Sequence, residues 1–404
     1  MKIGIIVRKL NVNGGVQRHV FYLARELKKL GHSIKLYTFI YDKEGCYPEL
    51  LGDMEVVSFG YLPQPPHLKI LGYFNYFIGL AREASASKKL AALIDRDTQI
   101  LNPHDHVCYK VAYFFKRRVK NIPSVWMMHD LPTKTFSLIR GQAIGAASRI
   151  SPIKRLFYRF VDSYEIGKYI KKQDAIAVLD GRDQQWAKEY FDTDAVIIRN
   201  GVDVEKFKFT ARQALVAKQA QLLMNGIFMP HRRFEDGIEA LKILIDRGYD
   251  ARLEITGGAG ENQGYYDKIQ KLVSSLQLND RVKFLGQVSE AELLESYRRN
   301  QIFLFPNHLQ SWGLAVFEAM ATGLPVIVSK SAGASEVLSH RENALLVQPK
   351  SPDELATAIA ELIENPSLYG ALSATGRLFV EKEISWLRTA LMMQKIFSTL
   401  ASKA

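Results

Sequence analysis

Two adjacent arginines and a glycine at a predicted helix start are the residues in this chain best suited to hold an anion. Arg232 and Arg233 come after a predicted strand and a turn at Pro230, and a guanidinium can clamp a diphosphate through two parallel hydrogen bonds. Gly313 and Leu314 open a helix after another predicted strand, where unbonded backbone N–H groups also favour a phosphate. Adjacent arginines could equally be a solvated helix start, but their charge would then oppose the helix dipole, and this conflict favours a bound anion.

Polar side chains near Gly313 could contact hydroxyl groups of a ligand. Glu318 is about one turn into the helix, where a carboxylate could bind sugar or ribose hydroxyls, although a glutamate in a first turn is also a common partner of the helix dipole. Gln310 precedes the helix and offers an amide with two donors and an acceptor. An earlier helix start at Gly14 and Gly15 allows close approach of a phosphate, or is simply a tight turn.

Histidines end two predicted strands in the N-terminal half. His129 closes the run Ser124–His129, while His104 closes the preceding run and His106 lies just after it. A strand end at a ligand cleft suits a catalytic histidine, because imidazole can accept or donate a proton near neutral pH. A lone histidine at a strand end is more often structural, so the residue type alone leaves the choice open.

These candidates follow strands that alternate with helical patterns along almost the whole chain. The first half contains the predicted strands Lys2–Val7, Ser33–Phe39, Met54–Phe59, Gln99–His104, Ser124–His129, Ala175–Leu179 and Val196–Arg199. The second half contains Leu222–Phe228, Arg252–Thr256, Val282–Leu285, Ile302–Phe305, Val326–Ser329 and Ala344–Val347. Apolar strands alternating with helices predict α/β domains with parallel sheets covered on both faces. In such sheets, ligands bind beyond the carboxyl ends of the strands.

Length and a turn near the middle of the chain predict two domains. The 404 residues exceed one ordinary core, and Asn200–Asp203 is a turn signal after an apolar strand. We predict Rossmann-like domains over residues 1–200 and 201–382 that face a central cleft. A C-terminal helix over about 383–404 is expected to pack back on the first domain.

Composition narrows the compartment and the partners. Hydrophobic residues make up 47% and charged residues 24%, so both domains can bury a core, and two cysteines without metal-ligand spacing indicate a reducing compartment. No apolar run approaches the ~20 residues of a membrane span, and the first is too short for a signal peptide. We therefore expect a cytoplasmic protein that could bind the cytosolic face of a membrane. The net charge of +12 suggests phosphorylated substrates or an anionic membrane. We expect no nucleic acid partner, because no nucleic-acid-binding motif is present.

The motifs around the second helix start resemble those of one family as an ordered set. The segment from Phe305 to Met320 resembles the E-x7-E signature of the GT4-like retaining glycosyltransferases of the GT-B fold. Asn200–Asp203 followed by Phe207 resembles the family's N-G-V-D-x-x-x-F segment, and residues 226–237 occupy the place of its G-R-L-x-x-x-K-G segment. Further matches are Gly323–Ile327, Gly333 to Glu336 and Asn343–Val347. The resemblance covers nearly the whole chain, and it implies an acceptor-side domain over 1–200 and a nucleotide-sugar-binding domain over 201–382.

Two departures from the family pattern matter for the site. Gln310 replaces the first glutamate of E-x7-E, which excludes a carboxylate nucleophile there, and Ile227 replaces the usual arginine after Gly226. Arg232 falls at the position of the family's lysine. Residues and resemblance together predict catalytic roles for His129, Glu318 and Arg232. They predict donor binding by Gly14, Gly15, Arg232, Arg233, Gln310, Gly313, Leu314 and Glu318.

The resemblance implies retaining transfer of a sugar from a UDP- or GDP-sugar to a glycan, lipid-linked or glycolipid acceptor. We expect no metal and no other cofactor, because two arginines and a helix N-terminus can neutralise the departing diphosphate. Asp95–Asp97 and Asp192–Asp194 each spell D-x-D, but both precede strands and are typical of turns. The alternative, motivated by Gln310, is a weak or inactive homologue that binds sugar nucleotides. A phosphorylase would need a pyridoxal lysine that the sequence does not mark, and a dehydrogenase is disfavoured by the missing G-x-G-x-x-G.

A basic amphipathic stretch, Arg140–Lys172, predicts binding to an anionic membrane. It has eight lysines and arginines against two acids, with Ile150, Ile153, Leu156, Phe157, Phe160 and Val161 at near-helical spacing. Lys154, Arg155 and Arg159 would contact the anionic surface. The same apolar stripe could instead be core. The aromatic stretch Tyr73–Leu80 could belong to the same surface or to an acceptor groove.

Overall fold

The computed structural model describes residues 1–62, 74–133, 151–212, 215–216, 218–260 and 262–403. Within the predicted stretches Arg140–Lys172 and Tyr73–Leu80, residues 140–150 and Tyr73 lie outside the described residues. The chain divides into two compact units. Unit 1 is built from Met1–Ile139, Arg149–Arg199 and Trp386–Ala404, and unit 2 is built on Asn200–Ser385.

Unit 1 is an α/β unit whose strands are all parallel. Its strands are β1 (Lys2–Leu10), β2 (Ser33–Tyr41), β3 (Glu55–Ser58), β4 (Ile100–Pro103), β5 (Val125–Met127), β6 (Ala175–Val178) and β7 (Val196–Ile197). They form two sheets, in the orders β3-β2-β1-β4 and β5-β6-β7. Two isolated parallel bridges connect these sheets, one from Leu101 to Ser124 and one from His104 to Met127. Strand order therefore reverses direction between β1 and β4, which makes the carboxyl ends of these two strands a topological switch point.

The helices of unit 1 cover this sheet. They are α1 (Gly15–Lys29), α2 (Pro48–Leu51), α3 (Phe74–Ala92), α4 (Cys108–Arg118), α5 (Pro152–Lys168), α6 (Gly181–Phe191) and α13 (Trp386–Ala401). The C-terminal α13 packs on α1, where Trp386 stacks on Tyr22 with ring centroids 5.1 Å apart. Aromatic stacking of this kind stabilises the contact beyond the apolar area that it buries.

Unit 2 repeats the scheme with one six-stranded parallel sheet. Its strands are β8 (Gln219–Asn225), β9 (Asp250–Thr256), β10 (Val282–Gly286), β11 (Ile302–Phe305), β12 (Val326–Ser329) and β13 (Leu345–Val347), in the order β10-β9-β8-β11-β12-β13. Its helices are α7 (Phe234–Asp246), α8 (Gln263–Ser275), α9 (Glu290–Arg299), α10 (Leu314–Ala321), α11 (Pro352–Glu364) and α12 (Pro366–Glu383). The switch point here lies between β8 and β11.

The strand pattern read from the sequence is confirmed, with local differences at the ends. Each predicted apolar run contains a strand, because the central strands are buried on both faces and must be apolar throughout. The run Leu222–Phe228 stops early as a strand, since Asn225 is followed by Gly226 with a φ of 152°. Among the helices of the described residues, none is both long and apolar enough to cross a bilayer.

Candidate active site

In unit 2, the loops that follow β8 and β11 meet at the switch point and bring Arg232 beside the end of β11. Arg232 ends a short 3-10 turn, Pro230–Arg232. Its Nη1 lies 3.0 Å from the Asn307 side-chain oxygen, and the Asn307 side-chain nitrogen lies 3.2 Å from the Arg232 carbonyl oxygen, with the amide oriented so that both hydrogen bonds form. Asn307 is buried. The amide therefore fixes one side of the guanidinium at the carboxyl end of the sheet.

Glycines allow the backbone to pack closely around Arg232. The Arg232 side chain lies against Gly226, with Nε 3.3 Å from the place that a Cβ of Gly226 would occupy. A Cβ on Gly257, whose φ is 128°, would lie 2.0 Å from the Gly226 carbonyl oxygen. Only glycine fits at this close approach of the two loops.

Arg233 does not share the environment of Arg232, although the sequence paired them. Arg233 has a left-handed backbone, with φ 55°, that turns its side chain back onto the first turn of α7. Its Nε lies 3.0 Å from Asp236 Oδ2, and its Nη1 lies 2.8 Å from Glu235 Oε1. The prediction that the charge of Arg233 conflicts with the helix dipole is therefore wrong, because the adjacent carboxylates of Glu235 and Asp236 compensate that charge. Burial raises the pKa of Asp236, opposed by Arg233.

The start of α10 matches the helix start predicted from the sequence. Gly313 caps the helix with a φ of 97°, a backbone conformation suited to glycine, and its Cα faces the ring of Phe305. The preceding Trp312 is buried, and its Nε1 donates to the carbonyl oxygen of Asn200 at 3.1 Å. Leu314 is the first residue of α10. A buried tryptophan and a glycine thus position the N-terminal backbone N–H groups of this helix.

Glu318 is anchored by residues that the sequence analysis missed. It is buried, and its Oε2 accepts a hydrogen bond from the Tyr297 hydroxyl at 3.0 Å. Tyr297 Oη in turn accepts from Asn225 Nδ2 at 3.1 Å. These hydrogen bonds connect the end of β8, α9 and α10, so residues far apart in sequence orient one carboxylate. No local pattern marks Tyr297, because an aromatic residue in a helix is ordinarily core.

Gln310 lies in the loop that joins β11 to α10. Its main-chain carbonyl oxygen accepts a hydrogen bond from Gly333 N at 2.8 Å, and its side-chain Nε2 donates to the main-chain carbonyl oxygen of Ser311 at 3.0 Å. Ser331 supports the same loop, since its Oγ lies 2.9 Å from His308 Nδ1 and accepts from Leu309 N at 2.8 Å. The loop is therefore tied to the segment after β12, and Ser331 is a further residue that sequence reasoning did not select.

In unit 1, the switch point collects three histidines. His104 follows β4, His129 follows β5, and His19 lies on α1, which begins at Gly15 after Gly14 as its N-cap. His19 and His104 are fully buried and His129 is partly exposed. Burial, followed by the neighbouring imidazole of His19, lowers the pKa of both His104 and His129 well below the ordinary value.

The three imidazoles are also close enough to share an ion. One ring nitrogen from each lies within 4.8 Å of the others. Imidazole is a common ligand of zinc and related metals. His106 is not one of these three ligands, and its Nε2 lies 3.6 Å from Oδ1 of its neighbour Asp105.

The basic residues of α5 flank an exposed apolar stripe. Ile153, Leu156 and Phe160 are 75%, 69% and 66% exposed, while Arg155 and Arg159 are exposed beside them and Lys154 is partly exposed. The opposite side of the helix faces inward, as Val161 and Asp162 are buried. Glu165, also on α5, contacts the buried Lys110 at 2.7 Å. The interpretation of this stripe as core is therefore wrong for its three exposed members and holds for Val161.

Both D-x-D sequences are engaged in turns and ion pairs. Asp95 lies 3.4 Å from Lys2 Nζ and 3.1 Å from Lys35 Nζ, in the turn before β4. Asp192 has a left-handed backbone at the end of α6, and Asp194 lies 3.0 Å from Lys188 Nζ. These contacts match the turn chemistry expected of aspartate.

Comparison with known proteins assigns both halves of the chain. Residues 13–206 match the family model described as Glycosyltransferase Family 4, and residues 205–379 match Glycosyl transferases group 1. The phosphatidyl-myo-inositol mannosyltransferase of Mycobacterium tuberculosis is 26% identical, with 99% of this chain and 97% of that protein covered. The glycogen synthase of the same organism is 24% identical, with 97% and 92% covered.

Solved structures confirm the fold. The sucrose-phosphate synthase of Thermosynechococcus elongatus superposes with a TM-score of 0.74 at 19% identity, covering 100% of both chains. The Anabaena protein HepE, solved with UDP and glucose, gives 0.73 at 16% identity, covering 99% of this chain and 100% of that one. The GT-B fold class predicted from the sequence is therefore confirmed. Since two family models together span residues 13–379 of these parallel α/β units, the chain belongs to the group 1, family 4 glycosyltransferases.

Proposed function

We propose that this glycosyltransferase moves a sugar from a UDP- or GDP-sugar, with retention at the anomeric carbon and without a metal ion. The observation that carries the proposal is the guanidinium of Arg232, fixed by Asn307 at the carboxyl end of the unit 2 sheet. A fixed cation at a switch point is suited to a diphosphate. The Anabaena protein of the same fold was solved in complex with UDP and glucose, which supports a nucleotide-sugar donor.

The chemistry asked of these residues is stabilisation of negative charge on the leaving diphosphate. Arg232 supplies a cation, and the start of α10 at Gly313 and Leu314 supplies backbone N–H groups. With that charge neutralised by protein groups, the step needs no divalent ion. The diphosphate can then accept the proton of the acceptor hydroxyl on the face from which it departs. Glu318 and Gln310 are proposed to bind donor hydroxyls, and His129 to border the reacting sugar.

The acceptor is proposed to be a glycan, a lipid-linked glycan or a glycolipid used in cell-surface polysaccharide or glycoconjugate synthesis. One similar protein is named for a lipid acceptor and another for glycogen. The exposed stripe on α5 favours an acceptor held at the cytosolic face of a membrane. Exposed apolar side chains flanked by Lys154, Arg155 and Arg159 suit an anionic lipid surface, where each basic residue contributes about 1 kcal/mol.

A donor panel tests the transfer. We expect one UDP- or GDP-sugar to raise the melting temperature, because a ligand that binds only the folded state stabilises it. That donor should then be hydrolysed or transferred, and NMR of the product should show the donor's anomeric configuration. Binding without turnover with any acceptor would favour the inactive homologue that Gln310 suggests. An inverted product would contradict retention.

A vesicle sedimentation assay tests the membrane contact separately. We expect binding to vesicles with anionic lipid but not to neutral vesicles. Binding should weaken between 0.1 and 1 M salt, as the Debye length shrinks from about 10 Å to about 3 Å. Replacing Lys154, Arg155 and Arg159 by glutamate should abolish it. The matched control places the same charge change on exposed lysines of unit 2, Lys268, Lys271 and Lys283. Equal loss in both variants would contradict a specific role of α5.

A further inference from the structure

A hydrogen-bonded chain at the unit 1 switch point begins at a main-chain carbonyl and ends at His129. Asn102 Nδ2 lies 2.7 Å from the carbonyl oxygen of Val125. Asn102 Oδ1 lies 2.8 Å from His104 Nε2, and His104 Nδ1 lies 3.1 Å from His129 Nε2. Asn102 and His104 are fully buried. Water therefore does not compete for the first two links.

The direction of each hydrogen bond follows from the first one. A carbonyl oxygen can only accept, so Asn102 must present its amide nitrogen to Val125 and its oxygen to His104. That oxygen can only accept as well, so the proton of His104 lies on Nε2. The remaining nitrogen of a neutral His104, Nδ1, is then an acceptor, and the hydrogen between the two rings belongs to His129 Nε2.

These hydrogen-bond directions hold when both imidazole rings are neutral, and the surroundings of the rings keep them neutral. Burial lowers the pKa of His104 well below its ordinary value, and the imidazoles of His19 and His129 lower it further. Burial, with His19 and His106, has the same effect on the pKa of His129. The ring centroid of His19 lies 5.1 Å from that of His104 and 4.9 Å from that of His129. Protonating one ring of this group would raise the free energy of the folded protein, because the charge would be desolvated and repelled by any other charged ring.

We propose that Asn102 and His104 are positioning residues that hold His129 in the tautomer protonated on Nε2, so that its Nδ1 is a hydrogen-bond acceptor. Within the described residues, His129 makes no hydrogen bond through Nδ1, and the residue as a whole is only partly buried. Resting on the proposed function, this assigns His129 the task of accepting a hydrogen bond from a substrate hydroxyl. The ligand group that it selects is thus a donor, as in a sugar or another polyol, and a keto or ether oxygen would be rejected.

Nitrogen NMR of the full-length protein tests the tautomer without any substrate. Histidine is labelled with ¹⁵N, and the His129 signals are assigned by their loss in His129→Gln. We expect Nε2 to show the shift of a protonated ring nitrogen and Nδ1 that of an unprotonated one. His104→Leu should abolish this preference. His104→Gln should keep it, because a glutamine oxygen can accept from His129 Nε2. His340→Gln, a change in unit 2, is the control and should leave the His129 signals in place.

Three results would overturn the proposal. One is a proton on Nδ1 of His129 in the unaltered protein. Another is an unchanged tautomer in folded His104→Leu. The third is stoichiometric zinc in the purified protein with a chelator-sensitive His129 signal, since a metal on Nε2 would displace the proton that the chain requires. Because the measurement needs neither donor nor acceptor, a failure of the proposed transfer leaves its result intact.

The assigned role has its own readout once transfer is measured. His104→Leu and His129→Leu should each lower kcat/KM by about tenfold, the worth of one hydrogen bond. The double variant should lose no more than either single one, since both changes remove the same interaction. A kcat/KM loss in the double variant equal to the product of the two single losses would contradict an action of His104 through His129.

Discussion

The switch points of the two units share a topology but differ in the chemistry of the residues there. In unit 1, the edge between β1 and β4 holds neutral, largely buried imidazoles whose hydrogen bonds fix their tautomers. In unit 2, the edge between β8 and β11 holds the guanidinium of Arg232, close-packed glycines and a helix start. The first arrangement suits hydroxyl groups and the second suits an anion. The same fold thus supplies two chemically unlike environments through its loops.

The largest loss of activity is expected from removing the guanidinium of Arg232 in unit 2. Arg232→Ala should lower kcat by about 100- to 1,000-fold with a smaller change in KM, because a group that stabilises leaving-group charge acts mainly in the transition state. Steady-state kinetics with the identified donor would measure this. A change in KM alone would reduce Arg232 to ground-state binding of the donor.

Arg233→Ala is the matched control for that experiment, since the side chain is already paired with Glu235 and Asp236. Its kcat should fall by less than about tenfold. Stability should fall instead, by about 1–3 kcal/mol in urea titration, because Asp236 is 1% exposed and loses its partner. Equal kinetic losses in the two variants would contradict the distinction between these arginines.

A smaller effect is expected at the anchored carboxylate of unit 2. Glu318→Gln should lower kcat/KM by about 10- to 100-fold, since the charge is lost while Tyr297 keeps an acceptor. Tyr297→Phe should lose less activity, because the Glu318 carboxylate remains. If Glu318→Gln folds and keeps full activity, the carboxylate is not part of the donor site.

The neutral imidazoles of unit 1 predict a pH dependence of stability. Their pKa values are lower in the folded chain than in the unfolded one, so protons bind the unfolded chain more tightly. Stability should therefore be retained above pH 6.5 and fall below it, by up to about 1.4 kcal/mol per pH unit for each histidine. Urea titrations at pH 7.5 and 5.5 should show a smaller fall for His104→Gln. An equal or larger fall in that variant would contradict the contribution of His104.

The smallest effect is expected from metal removal. Excess chelator should leave transfer unchanged, because the charge on the diphosphate is assigned to Arg232 and the start of α10. Activity assays before and after chelation measure this. Complete loss that divalent metal restores would replace the metal-free mechanism.

The sequence by itself determined the elements and the places where chemistry could occur. Strands that are buried on both faces, such as Ile302–Phe305, must be apolar throughout, so continuous apolar runs in the sequence predict their positions. Glycines with required backbone conformations, such as Gly313, mark the loops after them. Candidate residues such as Arg232 and His129 follow strands because side chains there can point beyond the sheet edge.

Tertiary structure alone decided which of these residues act together. A left-handed backbone at Arg233 turned its guanidinium onto α7, although the sequence offered the two arginines as equals. The periodicity of α5 predicts one apolar stripe but not whether solvent or core covers it, and Ile153 is exposed while Val161 is buried. His19, His104 and Asn102 join His129 only because strand order places β4 between β1 and β5. Such contacts depend on distances across the fold, which local residue patterns do not encode.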